Sequence, residues 1–452
     1  MNPELARNLW LEAPRGRLVG AGVILALIYG VTLVVARSAD AAETVHALGQ
    51  TGTVIFFACG VIWGGWAAGG SVLAEIRGRT WEFQRLSALE PWAMTWGKLF
   101  GATSLAWLGA LTGLVAAGAA EAGDQGPVAA FLLVAGLLGL AVFVQACAMG
   151  AALIGVRKAR AEGRVATGGA VVLGVIGGLI LLSMVSSSLG LRGGPHASIA
   201  ALFSQQPPVT WWGEAMPALA FTSLSLCAFA AWAVVGAWRL MRLELQMRNT
   251  PWIWTGFLIF AALWRAGLAT PMEGAAGWAF AGAATLMVAT YVSAFAEPAD
   301  AIRLRRFVSA LRSGALLPAA DLAPASLFAL KLAGLAVVAF CLLPQGFGDP
   351  SPLPGPVGAL AVLAFVIRDM GVIALVRFGP RPGRGDLTAV IALALLYGVG
   401  AAVGFSTDRA VGAALFVPLA SAMPTLSLVS GVVQAAVAWG LAAQRLRGPR
   451  AV

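Results

Sequence analysis

Charged residues are scarce in this chain. Only 11% of its 452 residues are Asp, Glu, Lys or Arg, and 59% are hydrophobic, whereas a soluble domain carries about 25% charged residues. Apolar runs of about 20 residues, the length that crosses the hydrocarbon core of a bilayer, recur along nearly the whole sequence. The composition excludes an ordinary soluble domain and predicts an all-α polytopic membrane protein.

Residues that usually carry chemistry are also few. The two histidines, His46 and His196, stand far apart, and the four cysteines lie inside apolar segments without metal-ligand spacing. The phosphate-binding motif Gly-x-x-x-x-Gly-Lys-Ser/Thr is missing, because the one Gly-Lys pair, Gly97-Lys98, is followed by Leu99. We therefore expect no catalytic site, no metal, no cofactor and no nucleotide site in this chain.

Basic residues are unevenly distributed between alternate loops. Of the 30 Lys and Arg residues, 25 fall in loops on one side of the expected membrane, four fall on the other, and Arg368 lies within a span. Since cytoplasmic loops carry the excess of positive charge, both termini are expected to be cytoplasmic. This asymmetry accounts for the net charge of +10 without nucleic acid. Arg outnumbers Lys 27 to 3, which favours a GC-rich bacterium and its inner membrane.

Hydropathy predicts twelve spans in two parallel repeats. The spans are approximately 18–36, 52–73, 99–119, 128–155, 168–190, 217–238, 252–269, 276–295, 327–344, 356–376, 387–404 and 425–444. Six spans per unit is an even number, so the two units, 1–240 and 241–452, have the same orientation. Each unit is expected to begin with an interfacial helix, at 4–10 and 244–249, and to carry a broken outer segment before its last span, at 186–216 and 411–424.

A polar stretch after the second span of each unit supports the duplication. The two copies, 74–89 and 296–311, have the same length, open with Ala-Glu and close with Ser-Ala-Leu. We expect each to form a helix on the cytoplasmic surface, with Trp81, Leu86 and Leu89 turned toward the membrane or neighbouring spans. Glu82 and Arg85 should face outward, and Asp300 should cap the second helix. A basic amphipathic segment resting on anionic lipid, without any partner, is the other interpretation.

The first copy resembles the region between spans 2 and 3 of ABC-2 type transporter permeases. The resemblance rests on Glu75-x-x-x-Arg79-Thr80-x-Glu82-Phe83-x-Arg85-Leu86-x-x-Leu89-x-Pro91, followed by Gly97-Lys98-Leu99. The chain departs from the family in having Arg79-Thr80 instead of Gly-Thr and Glu90 before the proline. The second copy keeps Glu297 but has neither Thr-x-Glu nor Gly-Lys-Leu.

That resemblance implies a transport subunit that is driven by separate cytoplasmic ABC ATPase subunits, two for the two units, which bind the ATP. Interfacial coupling helices after spans 2 and 8 would transmit their motion, most simply for export. The residues expected to contact the ATPase subunits are Glu75, Arg79, Thr80, Glu82, Arg85, Glu297, Asp300 and Arg303.

Arg368-Asp369 lies within the tenth expected span and is the second candidate site. Charges at that depth face the protein interior or water, so the pair is either part of a translocation path or structural, and Arg368 could also reach the inner interface. Two other functions compete with the first. Gly70-x-x-Leu73-Ala74-Glu75-x-Arg77-Gly78-Arg79 partly resembles the loop motif of major-facilitator secondary transporters, with one residue too many. A membrane scaffold without transport is the third class.

Overall fold

The protein is an all-α polytopic membrane protein. The computed structural model describes residues 2–37, 40–78, 80–81, 84, 89–161, 207–269, 274–344, 353–379 and 385–447. Within these residues, ten helices are long and apolar enough to cross a bilayer. The fold class predicted from composition is therefore confirmed at this level.

The described helices and strands follow one another with short connections. In the first half they are α1 (Pro3–Glu12), α2 (Arg15–Ala36), α3 (Ala41–Arg77, π-helical at Phe57–Trp63), α4 (Pro91–Trp96, followed by a π-helical turn at Gly97–Gly101), α5 (Ser104–Gln125), α6 (Pro127–Ala161), β1 (Val209–Trp211), β2 (Glu214–Met216) and α7 (Ala218–Glu244). In the second half they are α8 (Trp252–Ala266), α9 (Gly274–Ala296), α10 (Ala301–Arg312), α11 (Leu316–Leu322), α12 (Ala325–Leu342), α13 (Pro356–Arg377), α14 (Gly385–Thr407, π-helical at Leu396–Gly400), α15 (Arg409–Phe416), a 3₁₀ turn (Pro418–Ala420) and α16 (Pro424–Arg447).

Ten of the twelve expected spans coincide with a long apolar helix. The expected span 252–269 forms α8, which is apolar but has only 15 residues. The expected span 168–190 lies outside the described residues. The number twelve and the repeat therefore stay predictions.

Contacts divide the chain into two compact units. The first contains Met1–Arg157, Val165–Val209 and Ala215–Asn249, and the second contains Lys158–Arg164, Thr210–Glu214 and Thr250–Val452. Each unit has its own apolar core. Phe56, Leu137 and Leu226 are buried in the first, and Leu258 and Phe340 are buried in the second.

Small residues let the spans of the first unit approach closely. A Cβ added at Gly52 of α3 would lie 2.6 Å from the Ala116 Cβ and 2.8 Å from the Gly113 carbonyl oxygen of α5. Without a hydrophobic driving force in lipid, such close backbone contact is a main source of helix association. The Gly and Ala content of the spans thus serves packing.

The two units begin differently. Helix α1 forms as expected, with Pro3 in its first turn and the Asn2 side chain accepting hydrogen bonds from the Glu4 and Leu5 amides. The interfacial helix expected at 244–249 is wrong, because α7 ends at Glu244 and Gln246 has a φ of 58°. The Met247 amide donates to the Arg242 carbonyl at 2.9 Å, which closes the helix C-terminus as a left-handed residue allows.

The broken outer segments also differ. Residues 207–216, the described part of the first, contain the β1–β2 hairpin, whose turn residues Trp212 and Gly213 have φ of 52° and 85°. The second forms the short helix α15, capped by the Asp408 side chain, and then the 3₁₀ turn. A short helix was thus predicted correctly in the second half only.

Candidate functional site

Glu75, the first residue of the ABC-2-like motif, lies on the last turn of α3 and uses its carboxylate within the protein. It accepts hydrogen bonds from the side chains of Arg7, Gln84 and Lys98, and the Gln84 Nε2 lies 2.7 Å from Glu75 Oε1. These donors come from α1, from the polar stretch and from the start of the third expected span. One carboxylate therefore joins four parts of the first unit.

A second carboxylate, Glu4, completes a neutral group that we call the charge cluster: Glu4, Arg7, Glu75 and Lys98. The Lys98 side chain is 0% exposed, and its Nζ lies 3.2 Å from Glu4 Oε1 and 5.4 Å from the centre of the Trp81 ring. Arg7 Nη2 lies 2.9 Å from the same Glu4 oxygen. Because two anions balance two cations, the cluster can be buried without an uncompensated charge.

Ionisation of the cluster is set by its own charges. Burial alone would raise the pKa of Glu4, but Lys98, Arg7 and the Asn8 amide favour the carboxylate more strongly, so the pKa lies below its ordinary value of 4.5. Burial would likewise lower the pKa of Arg7, and the hydrogen bond to Glu75 with the charge of Glu4 raises it instead. The ion pairs are therefore fully formed at neutral pH.

The Gly97-Lys98 pair is explained by this packing. A Cβ at Gly97 would lie 2.5 Å from the Glu4 Cγ, so only glycine lets α1 pack against this turn. Asn8 donates to the Gly97 carbonyl at 3.2 Å and to Glu4 Oε1 at 3.0 Å, and the Asn2 side chain donates to the Ala93 carbonyl at 2.7 Å. Helix α1 is therefore fixed to the segment that leads into the third span.

Glu297 performs a comparable task in the second unit. Its Oε2 accepts the Ala325 amide, the first of α12, at 2.9 Å, and Arg303 Nη1 lies 3.5 Å from its Oε1. Arg303 also donates to the carbonyls of Leu322 and Ala323, both at 3.1 Å. Both glutamates thus tie the end of one span to the start of the next. Their carboxylates and Arg303 are engaged inside the protein.

The remaining residues of the polar stretches are placed as follows. Thr80 is exposed, and its hydroxyl donates to the Glu75 carbonyl at 3.2 Å. Trp81 faces inward and is buried, as expected, and Asp300 caps α10 by accepting from the amides of Ile302 and Arg303. Arg79, Glu82, Arg85 and Leu86 lie outside the described residues. The helix expected after span 8 is confirmed as α10.

Arg368 and Asp369 form a second buried polar group, at the middle of α13. Arg368 Nε donates to Asp369 Oδ1 at 2.8 Å, and its Nη1 donates to Gln434 Oε1 on α16 at 2.9 Å. The hydroxyls of Tyr291 on α9 and Tyr397 on α14 donate to Asp369 Oδ2 at 2.6 and 2.7 Å. The expectation that Arg368 could reach the inner interface is wrong, since both side chains are enclosed by protein.

Several of these partners were missed in the sequence. Glu4 was treated only as part of an amphipathic helix and Lys98 only as a marker of the cytoplasmic side. The available signal was position: Lys98 follows an aromatic run and precedes an apolar one. Two of the chain's three tyrosines, Tyr291 and Tyr397, stand inside expected spans, where a hydroxyl needs a partner. Which polar groups meet depends on helix packing, which spacing does not supply.

The described residues contain no group of three or more His, Cys, Asp or Glu side chains that could hold a metal ion. Both polar groups are charge-balanced internal networks, whose chemistry is to hold helices together and to transmit displacement. No family model matches the chain, and no curated protein and no solved structure shows significant similarity to it.

Proposed function

We propose that this protein is the membrane-spanning subunit of an ABC transporter of the ABC-2 type. In this proposal separate cytoplasmic ATPase subunits bind and hydrolyse ATP, and the chain converts their motion into substrate movement, most simply export across a bacterial inner membrane. The observation that carries the proposal is the set of bonds at Glu75. They make α1, the end of α3, the polar stretch and the start of the third span move together.

The mechanical argument follows from those bonds. A force on the polar stretch passes through Gln84 and Trp81 to Glu75 and Lys98, and so into α3 and the segment before α5. Because the cluster is buried and charge-balanced, separating its members exposes unpaired charge and is costly. The stretch therefore cannot shift without tilting the spans that it joins, as a coupling segment requires.

The charge pattern of the first stretch also suits a protein partner. Residues 75–97 contain three acidic and three basic residues, a mixed pattern that gives specificity and register at an interface. Glu75 is occupied internally, so Arg79, Thr80, Glu82 and Arg85 are the residues left for direct contact. Glu75 then acts as a positioning residue behind them.

Substitution of Glu82 by Lys tests the proposal. The variant should insert normally but lose co-purification of the ATPase subunit and the stimulation of its ATP hydrolysis, because the reversed charge opposes docking. Affinity purification from native membranes, with mass spectrometry of the bound proteins and an ATPase assay, measures both. Glu43→Lys, the same charge change on the opposite side of the membrane, is the matched control. Wild-type partner recovery by Glu82→Lys would contradict the assignment.

A secondary transporter of the major-facilitator type makes a different prediction. It would move substrate in vesicles that have a proton gradient and no ATP. Helix α3 continues through Gly70, Ala74 and Glu75 to Arg77, so the residues of the facilitator-like motif lie in a helix. Asp369 accepts four hydrogen bonds or ion-pair contacts, which hold it ionised and oppose a proton-carrying role.

A further inference from the structure

Helix α10 and the short helix α11 expose a surface unlike that of the first polar stretch. Residues 301–320 contain four arginines and no acidic residue, a net charge of +4. Residues 75–97 have three of each sign and a net charge of zero. The two copies of the repeat therefore present opposite requirements to whatever covers them.

Two of the four arginines are available for an external anion. Arg303 is turned inward to Glu297 and the Leu322 carbonyl, and Arg305 Nε donates to the Leu446 carbonyl at 3.1 Å. Arg306 and Arg312 are exposed, and no partner occurs for either among the described residues. Their guanidinium groups thus point to an anionic surface.

Large aliphatic side chains lie exposed beside these cations. Ile302 on α10 is 61% exposed, and Leu316 and Leu317 at the start of α11 are 71% and 80% exposed. Val308 and Leu311 are also exposed, whereas Phe307 packs inward against Ala319 and Ala323. Exposed leucines in water are unfavourable, so this surface needs an apolar layer as well as anions.

We infer that α10 and α11 bind the acidic phospholipids of the inner leaflet, with Arg306 and Arg312 at the phosphates and Leu316 and Leu317 among the acyl chains. The pair joins α9 to α12, two spanning helices, so it is held at the membrane surface by the chain itself. Cations interleaved with aliphatic residues are the pattern of a helix lying in a bilayer interface. This goes beyond the proposed function and leaves ATPase contact to the first stretch.

The test uses full-length protein whose four native cysteines are replaced by alanine, with Leu317→Cys carrying an environment-sensitive fluorophore. The protein is placed in nanodiscs of phosphatidylcholine, with or without phosphatidylglycerol, and quenching by spin-labelled lipid is measured. We expect quenching to rise about twofold when acidic lipid is added, and to fall back at high salt, which screens the attraction. No ATPase is present, so the result is independent of the proposed function.

Two variants make the test specific. Arg306→Gln with Arg312→Gln should remove the response to acidic lipid, and Arg409→Gln, an exposed arginine on the opposite side, should leave it unchanged. Equal quenching in both lipids, or a response that survives the double substitution, would overturn the inference. Shielding of the label only after addition of an ATPase subunit would also overturn it and assign the surface to protein.

A second measurement covers the case in which the cysteine-free protein does not fold. Backbone hydrogen exchange of residues 301–320 in the unmodified protein should be slower in discs that contain phosphatidylglycerol than in phosphatidylcholine discs. Identical exchange in the two lipids would contradict lipid binding.

Discussion

Glu4 and Glu75 are buried carboxylates whose ionised forms are held by shared cations. Lys98 contacts both, and Arg7 contacts both. Removing one member of such a buried group leaves a charge without compensation, which costs about 3–5 kcal/mol, far more than loss of an exposed pair. The residues to which function was assigned from sequence thus depend on residues that the motif does not include.

Glu4→Gln should change how stability depends on pH. The folded-state pKa of Glu4 is below its ordinary value of 4.5, so its stabilisation is complete above pH 4.5 and is lost as the pH falls through the lower folded value. The wild-type protein should lose stability in this acid range more steeply than the variant, which is less stable at neutral pH. Thermal unfolding in detergent from pH 7 to about 3 measures this.

The control is Glu12→Gln, on the last residue of the same helix, where the partner Arg17 is 58% exposed and the pair is accessible to solvent. Its unfolding profile should follow the wild type closely. If Glu4→Gln and the wild type lost stability in parallel below pH 4.5, ionised Glu4 would not be holding α1 in place.

At the scale of helices, most spans were predictable and their polar contacts were not. Spans are set by apolar length, and α10 was found from its cap and its repeat. The helix expected at 244–249 fails because amphipathic spacing did not reveal the left-handed turn at Gln246, which the Asn249 side chain supports by donating to the Arg239 carbonyl. Likewise, spacing placed Arg368 and Asp369 in a span, but only packing brings Tyr291, Tyr397 and Gln434 to them.

The buried pair on α13 should act as a fastener between helices. Asp369→Asn leaves the Arg368 charge uncompensated among α9, α14 and α16, and should destabilise the second unit by about 3–5 kcal/mol. Arg368→Gln combined with Asp369→Asn restores neutrality and should recover much of that loss. Melting temperature by fluorescence-detected size exclusion compares the three proteins.

The opposite result has a clear meaning. If Asp369→Asn left the melting temperature unchanged and abolished transport, Asp369 would be a working part of the translocation path and not a fastener. Equal instability of the single and double variants would show that lost hydrogen bonds, and not charge, are responsible.

For the whole molecule, the division at Asn249 and Thr250 accords with two units that each contain a core. A parallel duplication requires that the chain return to the cytoplasm at this point and again at its end. The charge asymmetry predicts the same orientation, since arginines cluster on both sides of the division.

Reporter fusions check this orientation. Green fluorescent protein fused after Asn249, and in a second protein after Val452, should fluoresce in both cases, and alkaline phosphatase at the same places should be inactive. A fusion after Asp124, between α5 and α6, is the control and should give the reverse pattern. An active phosphatase after Asn249 would show an odd number of spans in the first half and would exclude a parallel repeat.

The long reach of the contacts made by α1 has a consequence for biosynthesis. Glu4 meets Lys98, and Asn8 meets Gly97, across 94 and 89 residues. At a translation rate of 5–20 residues per second, the partners of α1 leave the ribosome roughly 5 to 20 s after α1 does. During that interval the newborn N-terminus must wait beside the translocon with its carboxylate unmatched, a natural point for a chaperone or a quality-control protease to intervene.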